Sequence, residues 1–372
     1  MAEKSTGGSR KKMIVRHRGR GSQIWIYLGK LLRTFIYQND WKVLPMSALI
    51  AGLVGMVIRR KMFLNMEGTI MGSFAIVCVC IWNGCFNSIQ SVCRERDVIK
   101  REHRSGMHIS SYIVSHMIYQ LLICLLQTGI TLYITALTGV QYPEKGLFTP
   151  WLIVDLGISM LLITYASDML SLWVSTIART STTAMTIMPF ILIFQLVFSG
   201  GMITIPEWAQ PFTNFTISST GLKVVSAQAD TNNRPFVTIS DMIHKMRSNE
   251  INVEFTVEEA LNQAQSTLST FEVDGKEELN EAIEKIKNNP QLQEYLSEKI
   301  SYRTTVGEVL DYVGENKVGD YISQKASEAS YKAEYENSKD IIMGYWGKLA
   351  LFIFVFSLLA MITLEFIDKD KR

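Results

Sequence analysis

GTIMGSFAIVCVCIWNGCFNSI, residues 68–89, is an apolar stretch without a charged residue, and it is long enough to cross a lipid bilayer as a helix. In lipid every backbone N–H and C=O group must be paired within the protein, so a stretch of this kind predicts a transmembrane helix. Five further stretches have the same character, at residues 43–58, 109–137, 150–177, 184–203 and 341–367. The sequence therefore predicts an all-α membrane protein with six transmembrane helices.

Charge is distributed unevenly along the chain. Residues 230–340 contain 22 Asp and Glu against 12 Lys and Arg, whereas the rest of the chain contains 25 Lys and Arg against 13 Asp and Glu. Basic residues cluster at residues 4–20, 94–104 and 369–372, which by the positive-inside rule face the cytoplasm. Both termini are then cytoplasmic and the acidic stretch is extracellular. The basic loop at residues 59–61 contradicts this orientation, because it would lie outside.

The same patterns divide the chain into five parts. Residues 22–40 place lysine and arginine between apolar residues at helical spacing. A helix of this kind lies in the membrane interface, where it is either a connecting element or a simple lipid anchor. Thr-x-x-acid patterns at residues 238–241, 256–259 and 305–308 predict capped helix starts in the extracellular part. The parts are a basic disordered tail (1–21), an amphipathic interfacial helix (22–40), transmembrane helices one to five (41–229), an inserted α-helical extracellular domain (230–340), and the sixth transmembrane helix with a cytoplasmic tail (341–372).

Cysteine usage bears on the compartment. All the cysteines fall in the second and third transmembrane stretches or at their inner edge, and the extracellular domain has none. No disulfide therefore stabilises that domain, which favours a bacterial plasma membrane over a eukaryotic secretory one. The five are Cys78, Cys80, Cys85, Cys93 and Cys124.

The polar segment between the second and third stretches is rich in both charges. It reads CRERDVIKREHRSG, residues 93–106, and without a helix-breaking residue before its end it predicts a continuation of the preceding helix. One interpretation is a topology signal whose arginines contact lipid phosphates. The other is a docking surface for a second protein, because acids alternate with the arginines around apolar Val98 and Ile99. The docking interpretation is favoured, since a topology signal does not need acids.

The fifth stretch ends in FSGGMITIPEWAQPF, residues 198–212. The paired glycines loosen the helix, the prolines prevent its continuation, and a tryptophan is typical of the membrane interface. Residues 200–215 therefore predict a broken or re-entrant segment in the outer leaflet, where irregular backbone lies beside protein or a cavity. The residues predicted to form an outer gate are Gly200, Gly201, Pro206 and Trp208.

The candidate enzyme signatures in the sequence are incomplete. Residues 314–320 have the two-glycine spacing of a phosphate-binding loop, but Asp320 stands where a lysine must neutralise phosphate. The histidines lack the spacing of a zinc site. The chain is therefore expected to have no catalytic residue, no metal site, no cofactor of its own and no nucleic-acid partner.

Taken together, these motifs resemble the membrane domains of ABC exporters of the G subfamily, also called type-2 exporters. The resemblance covers residues 22–228 and 341–372, and is carried by Glu95-Arg96, Arg101-Glu102, Ser105-Gly106 and Tyr112, by Gly200-Gly201 with residues 206–208, and by the amphipathic helix. It departs from the family in two respects. No nucleotide-binding domain precedes the membrane part, and the acidic insert exceeds the usual outer loop.

The resemblance implies a permease subunit that dimerises with a second permease, the same or different, and docks a separate ATPase that binds ATP and Mg²⁺. Residues 93–106 would be the coupling segment, and an extracellular partner for residues 230–340 is a further candidate. The expected cargo is amphipathic, lipid-like or peptide-like. The implied ATPase contacts are Arg94, Glu95, Arg96, Val98, Ile99, Arg101 and Glu102.

The second and fifth helices would line the substrate path. Its candidate residues are Asn83, Asn87, Phe190, Phe194, Gln195 and Phe198, although a phenylalanine row at helical spacing also suits simple packing. Asp168, in the fourth stretch, is expected to have a structural partner such as Arg179. Two other functions remain: a mechanical transmitter that acts through its extracellular domain on cell-envelope partners, and an ion-coupled transporter. The latter is least supported, because the sequence shows no inverted repeat.

Overall fold

The computed structural model describes residues 19–37, 40–201, 205–234, 250–270, 276–305 and 332–366. The chain divides into two compact units. The first comprises Met1–Pro235 and Tyr331–Arg372, and the second comprises Phe236–Ser330.

The described part of the first unit is built from helices. They are α1 (Arg20–Tyr37), α2 (Val43–Ile58), α3 (Met66–Ser88), α4 (Ser91–Arg94), α5 (Arg96–Arg104), α6 (Ile109–Leu137), α7 (Leu152–Ile177), α8 (Ser181–Val197), α9 (Gln210–Thr213), α10 (Ile217–Gln228) and, after the second unit, α14 (Lys339–Glu365). Short 3₁₀ turns occur at Asp40–Lys42, Glu207–Ala209, Thr231–Asn233 and Ala333–Tyr335.

Five helical stretches are long and apolar enough to cross a membrane, namely Asp40–Ile58, Met66–Arg94, Ile109–Leu137, Leu152–Ile177 and Lys339–Glu365. They coincide with five of the predicted stretches, so the prediction of a helical, multi-pass membrane protein is confirmed. The remaining predicted stretch corresponds to α8, which has 17 residues and falls short of that length. α8 contains Pro189 and ends at Val197, four residues before Gly201, which precedes the undescribed residues 202–204.

Polar side chains cap the start of two of these helices. Asn65 accepts a hydrogen bond from Gly68 N at 2.7 Å at the start of α3. Thr180 accepts one from Thr183 N at 3.2 Å at the start of α8. Each cap satisfies a backbone donor that has no partner within its own helix, which defines where the apolar stretch begins.

α3 and α7 pack closely because small residues face each other. A Cβ atom built on Gly84 would lie 2.2 Å from Thr164 O and 2.9 Å from Asp168 N, both backbone atoms of α7. Ser171 Oγ donates to Gly84 O at 3.4 Å across the same contact. Small residues are how membrane helices bring their backbones together, since lipid provides no hydrophobic driving force between helices.

α14 returns the chain to the same bundle and packs on α7. The indole Nε1 of Trp346 donates to Ser159 Oγ at 2.7 Å, and its ring lies 4.8 Å from that of Phe148. Further along α14, Leu349 and Leu364 are fully buried. An indole N–H away from water needs an acceptor, and the hydrogen bond to Ser159 holds this part of α14 against α7.

A buried carboxylate holds the loop that precedes α7. Asp155 is 1% exposed and accepts hydrogen bonds from the backbone N–H groups of Leu147, Phe148 and Thr149 at 2.8, 2.9 and 3.0 Å. Thr149 Oγ1 adds a fourth at 2.8 Å. A buried carboxylate in this position needs such donors, and it rigidifies the α6–α7 loop against the start of α7.

The second unit contains a pair of antiparallel strands as well as helices. β1 (Glu250–Thr256) pairs with β2 (Lys299–Thr305), with Val253 opposite Tyr302. Its described helices are α11 (Val257–Thr270), α12 (Lys276–Lys287) and α13 (Gln293–Leu296). The helix-cap patterns in the sequence predicted a helical domain here, and the strands correct that prediction.

Of the three predicted helix caps, the one at residues 256–259 is confirmed. Thr256 N donates to Glu259 Oε2 at 3.0 Å, and Glu259 N donates to Thr256 Oγ1 at 3.3 Å, the reciprocal pair of a capping box. Residues 238–241 and 306–308 lie outside the described residues, and Thr305 ends β2.

Candidate functional site

The coupling segment, residues 93–106, continues α3 only in part. A turn at residues 89–90 separates α3 from α4, and a second interruption at Glu95, with φ −99° and ψ 10°, separates α4 from α5. The predicted continuation is confirmed only in part: helical backbone extends from Met66 to Arg94 with a distortion at residues 89–90, and α5 is a separate helix after Glu95. At the other end Gly106 has φ +101°, a conformation that favours glycine and allows the chain to turn from α5 toward α6.

The coupling segment is anchored to the end of α7. Arg96 Nη1 donates to Thr176 O at 2.9 Å and to Ala178 O at 3.1 Å, the last carbonyls of that helix. From α4, Cys93 N donates to Ser175 Oγ at 3.2 Å. A cation at a helix C-terminus both satisfies orphan carbonyls and complements the helix dipole. Arg96, predicted as an ATPase contact, therefore faces its own membrane helices.

The apolar residues of the coupling segment also face inward. Ile99 has no exposed surface, and it belongs to a buried cluster with Tyr112 of α6, Leu172 of α7 and Leu364 of α14. Val98 is half-buried. The prediction that Ile99 forms the centre of a docking surface needs correction, because that side chain is buried by residues of this chain.

α1 is fixed to the coupling segment by polar contacts. Lys30 Nζ lies 3.2 Å from Glu95 Oε2 and 3.9 Å from Glu102 Oε1. Gln23 Nε2 donates to Gly106 O at 3.3 Å. These contacts give α1 more than the role of a lipid anchor, because it holds both ends of α5.

An aromatic contact reinforces the attachment of α1. The rings of Tyr27 and Tyr112 meet edge to face, with centroids 5.7 Å apart. Burial, followed by the negative charge of Glu102, raises the pKa of the Tyr27 phenol above its usual value. Tyr27 therefore keeps its proton and remains a hydrogen-bond donor beside that carboxylate.

The outward side of the coupling segment is predominantly basic. Arg94, Asp97, Arg101 and Arg104 are exposed, whereas Glu95 and Glu102 are half-buried. Charges that alternate in the sequence therefore lie on different sides of the coupling segment. Two of the three acids point toward α1, and most of the arginines are at the surface. This surface, formed by Arg94, Asp97, Arg101 and Arg104, is called the basic face below.

The two asparagines of the predicted path form hydrogen bonds to other helices of this chain. Asn83 Nδ2 donates to Ser47 Oγ of α2 at 2.9 Å. Asn87 exchanges two hydrogen bonds with Gln127 of α6, at 2.8 and 3.1 Å. Both asparagines therefore connect neighbouring helices of the same chain, which satisfies amides that would be costly to leave unpaired in lipid.

The path residues of α8 have two different environments. Gln195 is buried, and its Oε1 accepts from Ser218 N of α10 at 3.1 Å. Phe190 is 70% exposed and Phe194 is 41% exposed, on a face that no other described part of the chain covers. Phe198 contacts Phe194, with ring centroids 4.7 Å apart.

Glycines at the end of α8 are required by the backbone and by packing. Gly200 has φ +75°, in the left-handed region, and a Cβ on Gly201 would lie 2.6 Å from Cδ2 of Phe74. Beyond the undescribed residues 202–204, Pro206 precedes a 3₁₀ turn, and Trp208 is 75% exposed. α8 therefore ends at Val197, six residues before the end of the predicted stretch and shortly before the paired glycines.

A cavity of about 650 Å³ lies beside this helix end. Its lining includes Gly200 and Pro211 together with Lys223, Glu334 and Tyr335 from α10 and the segment before α14. Lys223 Nζ and Glu334 Oε1 are 2.8 Å apart. Polar and charged groups thus surround the space next to the predicted gate.

One buried polar network was missed by the sequence analysis. Asp168 is fully buried and accepts from Ser88 Oγ of α3 and from Cys124 Sγ of α6, the latter at 3.6 Å. Its expected partner Arg179 is exposed instead. The small-residue spacing of Gly84 and Ser88 was the signal that could have placed α3 against α7 at this point.

Among the described residues, no group of three or more His, Cys, Asp or Glu side chains is placed to hold a metal ion. A comparison with protein families matches residues 22–224, more than half of the chain, to the family described as ABC-2 type transporter, a membrane domain. No curated protein matches the chain.

Proposed function

Since the chain belongs to the ABC-2 type transporter family, we propose that it is the permease subunit of an ATP-driven exporter and that it docks a separate ATPase subunit. The family assignment covers a transport domain that is not itself catalytic. In this proposal ATP and Mg²⁺ bind to the partner subunit. The protein acts in a membrane, with both termini on the cytoplasmic side of a bacterial plasma membrane.

One observation carries the proposal: the coupling segment is fixed to several membrane helices and keeps an exposed charged surface. It contacts α7 through Arg96 and α1 through Glu95 and Glu102, and Ile99 belongs to a buried cluster that also includes residues of α6, α7 and α14. A push on this segment would therefore move those helices together, because packed interiors transmit displacement. A topology signal alone does not require such anchoring.

Charge indicates what the ATPase surface should be like. The basic face offers Arg94, Arg101 and Arg104 against a single exposed acid, Asp97. Electrostatic complementarity favours an acidic groove on the partner. The contact should weaken as salt increases, because exposed charges are screened.

A six-span topology fits the orientation required for docking. α8 has 17 residues and is about 26 Å long at 1.5 Å per residue, close to the roughly 30 Å thickness of the hydrocarbon core. If α8 crosses the membrane, an even number of spans puts the basic N-terminal and C-terminal segments on the side of the coupling segment. Residues 236–330 are then extracellular, where they could meet an extracellular partner.

The exposed apolar face of α8 supports pairing with a second permease subunit. Phe190, Ile193 and Phe194 are 70%, 57% and 41% exposed. A path for an amphipathic, lipid-like or peptide-like substrate would then form between two subunits, with one wall from each. The 650 Å³ cavity beside Gly200 is suited to be the outer end of that path.

The hydrogen bonds of Asn83, Asn87 and Gln195 within the chain favour a second candidate, a mechanical transmitter. In that function ATP-driven motion would reposition residues 236–330 to act on cell-envelope partners, and no cargo would pass. The exporter is preferred, because the matched family is one of transporters.

The proposal is tested by purifying the full chain from its native membranes and measuring the ATP hydrolysis that accompanies it. The variant Arg101→Glu/Arg104→Glu reverses two charges of the basic face. A matched control, Arg59→Glu/Arg60→Glu, reverses two exposed charges in the α2–α3 loop. Glu102 is left unchanged, because it contacts Lys30 of α1.

We expect an ATPase to copurify with the wild type and with the control. With Arg101→Glu/Arg104→Glu, the copurifying ATP hydrolysis should be about tenfold lower. Equal ATPase recovery in both variants would contradict docking through the basic face. Absence of any ATPase from the wild-type preparation would contradict the permease function itself.

A further inference from the structure

A second cavity, of about 250 Å³, lies where α1 passes the inner ends of α3 and α6. α1 contributes Phe35, α3 contributes Phe86, α4 contributes Arg94, and α6 contributes His116 and Gln120. It is separate from the outer cavity beside Gly200, and it borders the coupling segment at Arg94 and Glu95.

His116 is the unusual residue of this cavity. It is 2% exposed, and neither of its ring nitrogens has a hydrogen-bond partner among the described residues. Its only ring neighbour there is Tyr112, with centroids 4.6 Å apart. Buried polar atoms are normally paired, because an unpaired one costs free energy. An imidazole that lines a cavity without a protein partner points to a ligand that supplies one.

Gln120 strengthens this interpretation. It lies one helical turn from His116 on the same side of α6, is 2% exposed, and also lines the cavity. Its amide can both donate and accept hydrogen bonds, and an imidazole N–H can donate to a phosphate oxygen. His116 and Gln120 therefore provide hydrogen-bonding groups for a compact polar ligand on one side of the cavity.

The charges around the cavity balance. Both signs of charge line the cavity: Arg94 carries a guanidinium with several donors, and Asp40 and Glu95 carry carboxylates, of which Glu95 is paired with Lys30 at 3.2 Å. The rings of Phe35 and Tyr119, with centroids 6.2 Å apart, form a wall that also suits an ammonium group. A ligand that carries a phosphate and an amine matches this lining better than one with a single charge.

Apolar residues next to the cavity indicate that the ligand also has a lipid tail. Phe86 lines the cavity, and Trp82 stands one turn further along α3; they are 48% and 40% exposed. Their rings are 6.4 Å apart and form an apolar surface directed away from the coupling segment. Acyl chains could lie along this surface while the headgroup remains at the level of Gln90, where α3 ends.

We propose that this cavity binds the headgroup of a zwitterionic phospholipid, with its phosphate at Arg94 and His116 and its amine at Asp40 and the aromatic wall. The lipid would connect α1 to α3 and α6 at the inner membrane surface. The proposal does not depend on transport or on an ATPase.

The test is native mass spectrometry of the purified, delipidated full chain, titrated with phosphatidylethanolamine, phosphatidylglycerol and soluble glycerophosphoethanolamine. His116→Phe keeps a ring of similar size but removes both nitrogens. Thr34→Trp fills the cavity from α1, where Thr34 lines it half-buried. Arg33→Trp, at the exposed neighbouring position, is the matched control.

We expect one tightly retained phosphatidylethanolamine, with phosphatidylglycerol retained more weakly. Affinity should fall about tenfold in His116→Phe and in Thr34→Trp, as the loss of one hydrogen bond to a charged group predicts, and should be unchanged in Arg33→Trp. If Thr34→Trp and His116→Phe both retain the lipid as the wild type does, the proposal is overturned. Equal affinity for glycerophosphoethanolamine would overturn the assignment to a membrane lipid.

Discussion

Replacing Gly84 by alanine should separate the two helices that support the coupling segment. The new Cβ would lie 2.2 Å from Thr164 O and 2.9 Å from Asp168 N. Atoms in normal contact are about 3.5 Å apart, so α3 and α7 must move apart by roughly 1 Å. Neither obstacle is the flexible end of a side chain, and the strain therefore cannot be relieved by a rotamer change.

The expected cost follows from two contributions. Overpacking of a dense interior costs about 1–3 kcal/mol. Separation of the helices also weakens the hydrogen bonds from Ser88 to Asp168 and from Ser171 to Gly84, at about 0.6 kcal/mol each for polar contacts between membrane helices. We expect the free energy of unfolding to fall by about 2–4 kcal/mol.

The assay is an unfolding titration with dodecyl sulfate in mixed micelles, followed by circular dichroism. Gly129→Ala is the matched control, because a Cβ at that position in α6 meets no atom within 4 Å. Helix propensity predicts that this control gains up to about 1 kcal/mol. If the two variants change stability by the same amount, the close packing of α3 on α7 is refuted.

Three further predictions concern other parts of the chain. Gly201→Ala should lower the free energy of unfolding by about 1–3 kcal/mol in the same titration, because its methyl group would meet the ring of Phe74. A decrease below about 0.5 kcal/mol, as for an ordinary surface substitution, would argue against the contact. A double-mutant cycle of Asn87→Leu and Gln127→Leu should give a coupling of about 0.6–1.7 kcal/mol, and independent effects would speak against the paired amides. A fragment of residues 236–330 should unfold cooperatively on heating, as monitored by circular dichroism, whereas a gradual melt would mean that it depends on the rest of the chain.

The membrane helices could be predicted from the sequence because apolar length is a one-dimensional property. Residues 68–89 were predicted as a span, and α3 covers Met66–Ser88. Bends are harder to predict. The interruption at Glu95 contains neither glycine nor proline, and it arises where Arg96 binds the end of α7. Such a long-range contact leaves no local signal.

The candidate site was harder to predict than the helices, because the sequence does not show in which direction each side chain faces. Ile99 and Glu102 stand among charged residues in the sequence and were predicted to meet a partner protein, but Ile99 is buried in a cluster with residues of α6, α7 and α14, and Glu102 lies near Lys30 of α1. The strands of the second unit were missed for a similar reason. β1 and β2 pair across more than 40 residues, so neither strand has its partner within a local window.

The central claim, that the basic face is where an ATPase docks, is tested most directly by site-specific photocrosslinking in native membranes. A benzophenone amino acid replaces Arg101 in one protein and Arg60, in the α2–α3 loop, in another; both positions are exposed. We expect position 101 to crosslink to a protein with nucleotide-binding motifs, and position 60 not to. A crosslink to such a protein from position 60, or none from position 101, would contradict it.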